Sequence, residues 1–344
     1  MADAPFPHVP QSVPQQFRDL PKAELHLHLE GAIAPATTCE LAARHSVQLT
    51  EAEVLSRYRY SGFLGFLEAF KWVTSFLRTP NDFALITQRL CEELIAQNVV
   101  YAEVTLSVGV MLWRKQDALA NFAALREVAK GFEQLGLRLR WIFDAVRQFG
   151  SSAAMDVARL AAAAKGEGVV ALGMGGDELS LPAHEFRGVY DFVAAQGMHR
   201  LVHAGEVGGP EEIRAAMDIL GAERIGHGIA AIRDEALMDL LAETKIPLEI
   251  CPTSNLCTGA LARQLGRPKA QMEDHPLPEF HRRGIVVLLS TDDPAMFHTS
   301  LDQEYCAAAK MGLGQTELEK IAGMSFLHAF LSPEDREKYR HLSR

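Results

Sequence analysis

Eight short runs of branched and aromatic residues recur along this chain, separated by longer stretches with helical spacing. The runs are Ala23–Leu29, Val99–Ser107, Leu137–Ala145, Val169–Gly175, Arg200–Gly205, Arg224–Gly228, Pro247–Pro252 and Ile285–Thr291. Between them, Phe83–Ala96, Asp117–Gln134, Ser152–Ala164, Glu211–Leu220 and Asp234–Thr244 repeat apolar residues three and four apart, the stripe of an amphipathic helix. This alternation, without a long linker, predicts an α/β protein of the TIM (β/α)8 barrel type. An open doubly wound sheet is the rival. It calls for a Gly-rich phosphate loop after an early strand, and Gly173, Gly175 and Gly176 fall outside that fingerprint.

A length of 344 residues suits one barrel with insertions, so residues 1–344 are expected to form a single domain. Residues 35–80 are too many for one crossover helix and carry Tyr58, Tyr60, Phe63, Phe66, Phe70, Trp72 and Phe76. They predict a helical insertion after the first strand. Its aromatics serve as packing on ordinary burial preferences, or as a lid over a planar substrate.

A formal charge of −10 argues against general affinity for nucleic acid or an anionic membrane. Five scattered cysteines with no C-x-x-C pair suggest neither a disulfide framework nor a cysteine zinc site. No apolar stretch reaches the ~18 residues of a membrane span, and Met1 to Leu20 does not read as a secretory leader. The expectation is a reduced, soluble, cytoplasmic protein acting on a small molecule.

The chemistry is concentrated at the ends of the strand-like runs, where barrels place reactive groups. In Ala23-Glu24-Leu25-His26-Leu27-His28-Leu29 polar and apolar residues alternate. That predicts a half-buried strand with both imidazoles on one face, close enough to share a metal ion. His203 and Glu206 follow run five, His227 closes run six, and Asp292 and Asp293 close run eight. A lone histidine at any of these places reads as structural. Four histidines and three carboxylates, all at strand ends, read as a site. His45, His184, His199, His275, His281, His298, His328 and His341 are treated as surface or packing residues.

Three histidines and one aspartate suit Zn²⁺ with room left for a water, whose proton is then lost near neutral pH. His26 and His28 share a strand and His203 comes next, which leaves His227 beside the water to accept its proton or to orient it. Glu206 suits proton donation to a substrate. Asp292 would be a ligand that also bonds the water, and Asp293 faces the substrate or a supporting partner. A second metal would need a bridging group such as a lysine after run four. Gly175-Gly176-Asp177-Glu178 stands there instead, so one zinc per chain is expected. The two glycines also let a flat ring approach the backbone.

With these residues in view, the chain resembles the adenosine deaminase family of the amidohydrolase superfamily. The resemblance rests on Pro21-Lys22-Ala23-Glu24-Leu25-His26-Leu27-His28-Leu29-Glu30-Gly31, Gly175-Gly176-Asp177-Glu178, His203-Ala204-Gly205-Glu206, Arg224-Ile225-Gly226-His227-Gly228, Cys251-Pro252-Thr253-Ser254-Asn255 and Ser290-Thr291-Asp292-Asp293-Pro294. It implies a zinc barrel that deaminates 6-aminopurines, with His26, His28, His203 and Asp292 as ligands. Glu206 matches the acid that protonates purine N1, His227 the base beside the water, Asp293 the partner of N7 and Gly176 the backbone donor to N3. His28 and Glu30 would also face the substrate. Glu30 stands where many adenosine deaminases carry an aspartate that holds the ribose, and Tyr101–Ser107 lacks the arginine common in adenosine-specific members. The glycine pair resembles the nucleoside branch. Arg78-Thr79-Pro80-Asn81-Asp82 and Thr105 are similar to relatives acting on 6-aminodeoxyfutalosine, an adenosine analogue of menaquinone synthesis. The expected reaction is hydrolytic deamination of a purine nucleoside. The alternatives are adenine deamination, an amide or ester hydrolase on the same barrel, or a metal-bearing binding module.

Overall fold

Eight parallel strands pair in chain order: β1 (Lys22–His28), β2 (Val99–Leu106), β3 (Arg138–Val146), β4 (Val169–Gly175), β5 (His199–Ala204), β6 (Arg224–His227), β7 (Leu248–Ile250) and β8 (Val287–Leu289). The computed structural model describes residues 13–343; residues 1–12 of the N-terminal segment read above, and Arg344, lie outside the described residues. A parallel bridge between Leu27 and Asp292 closes the barrel. There His28 N–H donates to the Asp292 carbonyl at 2.8 Å, and Asp292 N–H to the His26 carbonyl at 2.9 Å. The TIM-barrel expectation holds, and every predicted strand lies within two residues of its run at each end.

One local expectation does not hold. β1 is buried along its whole length rather than on one face. A barrel strand has its inner face filled by the other strands and its outer face covered by helices. Leu25 packs outward with Leu288 and Phe326. The alternating polar residues mark the barrel interior, not a face toward water.

The segment after β1 forms helices Pro35–Arg44, Glu51–Arg57 and Gly62–Thr74, and the crossover helix proper starts at Pro80. Local signals set these starts. Thr50 and Glu53 form a reciprocal cap, with Thr50 N–H donating to Glu53 Oε2 at 2.8 Å. Thr79 and Asp82 do the same ahead of Pro80, whose ring suits the first helical turn. The aromatics divide. Tyr58, Phe66 and Phe76 are buried, while Phe63 and Phe70 border a cavity at the barrel mouth. At the opposite end, helix Gln315–His328 packs across β1 and β8, and Phe330 stacks on His199 at 4.0 Å. Among the described residues no helix is long and apolar enough to cross a membrane.

Candidate active site

His26, His28, His203 and Asp292 converge although 266 positions separate the first from the last. Each offers one ligand atom, and these atoms lie within 4.8 Å of one another. His26 Nδ1 bonds Glu249 Oε2 at 2.7 Å, and His203 Nδ1 faces the Met174 carbonyl at 3.2 Å. Both rings are thereby oriented with Nε2 toward the cluster, as supporting partners do for metal-binding imidazoles. His26 Nε2 is buried without a hydrogen-bond partner. Burial keeps His28 neutral, down to about 4, and moves His203 well below the usual histidine range. His26 differs: burial opposes its charge, but Asp292 and Glu249 outweigh that and lift it to about 10. A proton on His26 therefore occupies ground built for positive charge, and a cation bound there would displace it.

Asp292 of the cluster and His227, which closes β6, stand in left-handed backbone, at φ 66° and φ 60°. Non-glycine residues rarely adopt this region, and each such position costs on the order of 1–3 kcal/mol. At Asp292 the strand ladder on one side and a hydrogen bond from Ser254 Oγ to Asp292 Oδ2 at 2.7 Å on the other hold the turn. The strain aims the carboxylate back into the barrel, with Oδ1 at 3.5 Å from His26 Nε2 and 3.3 Å from His28 Nε2.

Under the cluster runs a buried charge network. Arg224 pairs with Glu249 through Nε at 2.6 Å and with Glu103 through Nη2 at 2.5 Å. All three side chains are at most 1% exposed. Arg224 also donates to the His328 carbonyl at 3.1 Å and lies 3.8 Å over the Phe330 ring. A line of contacts thus joins the chain's closing segment to His26.

Glu206 sits on the loop after β5, and Glu178 shapes that loop. The Glu178 carboxylate accepts from Gly205 N–H, and from Val207 and Gly208 N–H at 2.8 Å. Gln264 holds the far side by donating to the Glu206 and Gly208 carbonyls at 2.8 and 2.6 Å. Burial, with Asp292 nearby, pushes the Glu206 carboxyl up to about 8. At neutral pH it carries a proton.

The tautomer of His227 follows from a chain that starts at a backbone group. Leu277 N–H donates to His275 Nδ1 at 3.1 Å, so neutral His275 carries its proton on Nε2. That Nε2–H faces Asn255 Oδ1 at 3.2 Å, which leaves Asn255 Nδ2 to donate to His227 Nδ1 at 3.0 Å. Burial moves both imidazoles down to about 3, so both are neutral. His227 then carries its proton on Nε2, which lies 3.7 Å from Glu206 Oε2 and 3.9 Å from Asp292 Oδ2. A ring in this state donates; it has no free lone pair on the side facing the cluster.

These groups border a cavity of about 340 Å³. His28, His203, Glu206, His227, Asp292, Asp293 and Gly176 lie in its wall. Glu30 does not. It sits beside the cavity, 2% exposed, with Oε1 accepting from Ser107 N–H at 3.0 Å and Oε2 without a partner. The acid in that part of the wall is Asp144, from the end of β3. Asp144 Oδ1 has no partner, and burial pushes the carboxyl up to about 8. Glycine makes its room: a Cβ at Gly173 would stand 2.8 Å from Asp144 Oδ1. Gly31 does the same for Asp293, where an added Cβ would fall within 1.7 Å of Oδ1. Gly31→Ala should therefore lose about 1–3 kcal/mol in a denaturant melt, along with turnover. An unchanged midpoint would show that Asp293 can step aside.

With this geometry in hand, comparison with known proteins is decisive. The family described as adenosine deaminase matches residues 21–342. The chain belongs to the adenosine deaminase family. It is 39% identical over 319 residues to the aminodeoxyfutalosine deaminase of Streptomyces avermitilis, covering 91% of this chain and 87% of that one. It is 33% identical to the adenine deaminase of Chelativorans sp., covering 92% and 95%. Among solved structures, the adenine deaminase of Arthrobacter aurescens superposes with a TM-score of 0.86 at 27% identity, covering 94% of this chain and 98% of that one. The chain is thus a hydrolase acting on the amino group of adenine-like substrates.

The residues read from the sequence include His28, Gly176, His203, Glu206, His227, Asp292 and Asp293 of the cavity wall, but not Asp144 or the groups that support the site. Asp144 lies one residue inside the end of its strand-like run, close to the kind of position that marks Asp292. No second polar residue flanks it, so the run alone does not single it out. His275 was grouped with packing residues, yet it sets the His227 tautomer through Asn255. Glu249 and Arg224 lie within strands, where an isolated charge gives no hint that its partner is another buried charge.

Proposed function

We propose that this deaminase is a zinc-dependent aminohydrolase of purine nucleosides, converting adenosine or a derivative such as 6-aminodeoxyfutalosine to the 6-oxo product and ammonia. The observation that carries this reading is one cavity whose wall holds His28, His203 and Asp292 of the four-ligand cluster together with a buried, protonated acid, Glu206. Its volume is that of sites enclosing whole drug-sized ligands. The donor set, three imidazole nitrogens and a carboxylate with an orphaned His26 Nε2 among them, fits one zinc ion. Held by His26, His28, His203 and Asp292, zinc would supply water activated at neutral pH.

The remaining steps belong to the side chains. Glu206 gives its proton to purine N1, which makes C6 electrophilic. His227, with its proton on Nε2, donates a hydrogen bond to the oxygen entering at C6, so it orients and stabilises rather than acting as the base; the proton left on that oxygen passes to the C6 amino group, whose bond to C6 breaks to release ammonia. Asp293, pushed well above the usual carboxylate range by burial and by Asp292, is protonated and donates to N7. Gly176, at φ 93°, brings its backbone to the N3 edge. Ser107 and Asp144 face the sugar side, and Glu30 supports them from behind by holding Ser107 N–H. Phe63, Phe66 and Phe70 of the insertion cover the ring and keep water away.

The test is a panel of adenosine, 6-aminodeoxyfutalosine, adenosine 5′-monophosphate and adenine compared by kcat/KM. Nucleosides should lead. A lead for adenine would favour the activity of the Chelativorans relative, and turnover of an amide or ester with no 6-aminopurine used would overturn the proposal. The rate should also depend on pH with a definite sign. Glu206 is raised to about 8 and acts in its protonated form, so kcat/KM should hold below that value and fall as pH rises through it. A profile that rises through pH 8 would contradict the acid role.

A further inference from the structure

The floor of the barrel is stopped by the segment that follows helix Gln315–His328. Phe330 packs against Ile142, Ala171 and Leu201 of β3, β4 and β5, a small apolar cluster apart from the main core. Its ring makes two further contacts. His199 lies parallel to it at 4.0 Å, and the Arg224 guanidinium stands 3.8 Å from its centroid. The backbone on either side is also engaged. Phe330 N–H donates to Glu103 Oε1 at 2.5 Å, and the His328 carbonyl accepts from Arg224 Nη1 at 3.1 Å. Beyond Phe330 the chain is tied down: Asp335 accepts from Arg138 and Arg140 at 2.6 Å each, and the Tyr339 hydroxyl donates to the Val100 carbonyl at 3.1 Å.

Each donor nitrogen of Arg224 thus has a partner. Nη1 goes to the His328 carbonyl, Nη2 to Glu103 and Nε to Glu249, whose other oxygen meets His26 Nδ1 at 2.7 Å. Residues 328–330 set where the guanidinium lies, and the guanidinium sets where Glu249 lies. A buried ionic group of this kind is a weak source of net stability, because desolvation offsets most of the attraction. What it supplies is a single arrangement. Both oxygens of Glu103 and both of Glu249 are engaged, so neither carboxylate can turn without losing a bond.

We propose that Phe330 is a positioning residue for the metal cluster at the other end of this network. By fixing Arg224 it fixes Glu249, and through Glu249 the pose in which His26 Nε2 faces the cluster. This rests on the zinc reading above and adds a remote residue to it. Phe330 lies outside the cavity wall, so its influence reaches the site only along these contacts. Such a coupling is reciprocal: an ion held by His26 steadies Phe330 by the same free energy with which Phe330 favours the ion.

The test uses the full-length chain and zinc competition against a chelator, read per folded chain. Phe330→Leu keeps an apolar plug but loses the ring over the guanidinium. It should weaken zinc retention about tenfold, the low end for supporting contacts at metal sites. Phe330→Tyr keeps the ring and should retain zinc as the unaltered chain does. In a Glu249→Gln background, where the link to His26 is already broken, Phe330→Leu should add no more than about twofold, whereas a purely structural role makes the two losses multiply. Hydrogen exchange of the unaltered chain reads the link from its other end and needs no variant to fold. Zinc should slow exchange of the Phe330 amide about tenfold relative to amides of helix Pro80–Ala96, which lies outside the network. Undiminished zinc retention in Phe330→Leu, losses that multiply, or equal protection of the Phe330 amide and that helix would each overturn the proposal. An unaltered chain that binds no zinc would overturn the zinc reading, and this proposal with it.

Discussion

Glu206→Gln is expected to lower kcat by about 10²–10⁴-fold, the usual worth of a positioned general acid, while the chain stays metal-loaded and folded. The substitution is close to isosteric and keeps the group neutral, as it already is at pH 7 with its carboxyl raised to about 8. The loop keeps its shape because Glu178 and Gln264 bind its backbone rather than the Glu206 side chain. Stability should therefore change by no more than about 0.5–1 kcal/mol. The amide cannot deliver a proton, so the fall in rate above pH 8 should vanish along with most of the turnover. His26→Ala is the contrasting case: it removes a ligand, and metal content measured by elemental analysis should fall well below one per chain. A Glu206→Gln chain that still deaminates at near-normal rate would remove Glu206 as the acid. A chain whose biological role survived the substitution untouched would point to a binding module instead.

Arg224→Met is expected to cost about 3–5 kcal/mol of stability. The methionine fills much of the same space but leaves Glu103 unexposed and without its ion-pair partner, and Glu249 with His26 alone. Removing one partner from a buried ionic group strands the others, and that is more damaging than replacing the whole group. The second consequence is at the cluster. Glu249 sets the orientation of His26, and loss of such supporting contacts typically weakens metal binding about 10–100-fold. Denaturant melts of the metal-free chain measure the first effect and chelator competition the second. A midpoint change worth less than about 1 kcal/mol would mean that solvent or a shifted side chain reaches this network.

These two residues differ in how they announce themselves. Glu206 lies three positions past His203, itself at a strand end, so the two polar groups mark each other. Arg224 opens β6 and reads as an ordinary charged flank of a strand. Its partners come from β2 and β7, so their meeting is a property of barrel closure alone. The same holds for His275, which acts on His227 only through Asn255, and for Asp144, whose space exists because Gly173 lacks a side chain.

What the sequence determined by itself was the period: eight strand runs, the helices between them, and polar groups collected at strand ends. Those signals are local, since side-chain alternation and helical spacing act within a few residues. They sufficed for a barrel and for the residues of the cluster. Tertiary structure decided how those residues work. It set which tautomer His227 holds, why Glu206 keeps its proton, and which acid, Asp144 rather than Glu30, lines the cavity. Each of these depends on burial and on charges brought close from distant parts of the chain. A buried carboxyl is shifted by every neighbour within several ångströms, and only the closed barrel specifies which neighbours those are.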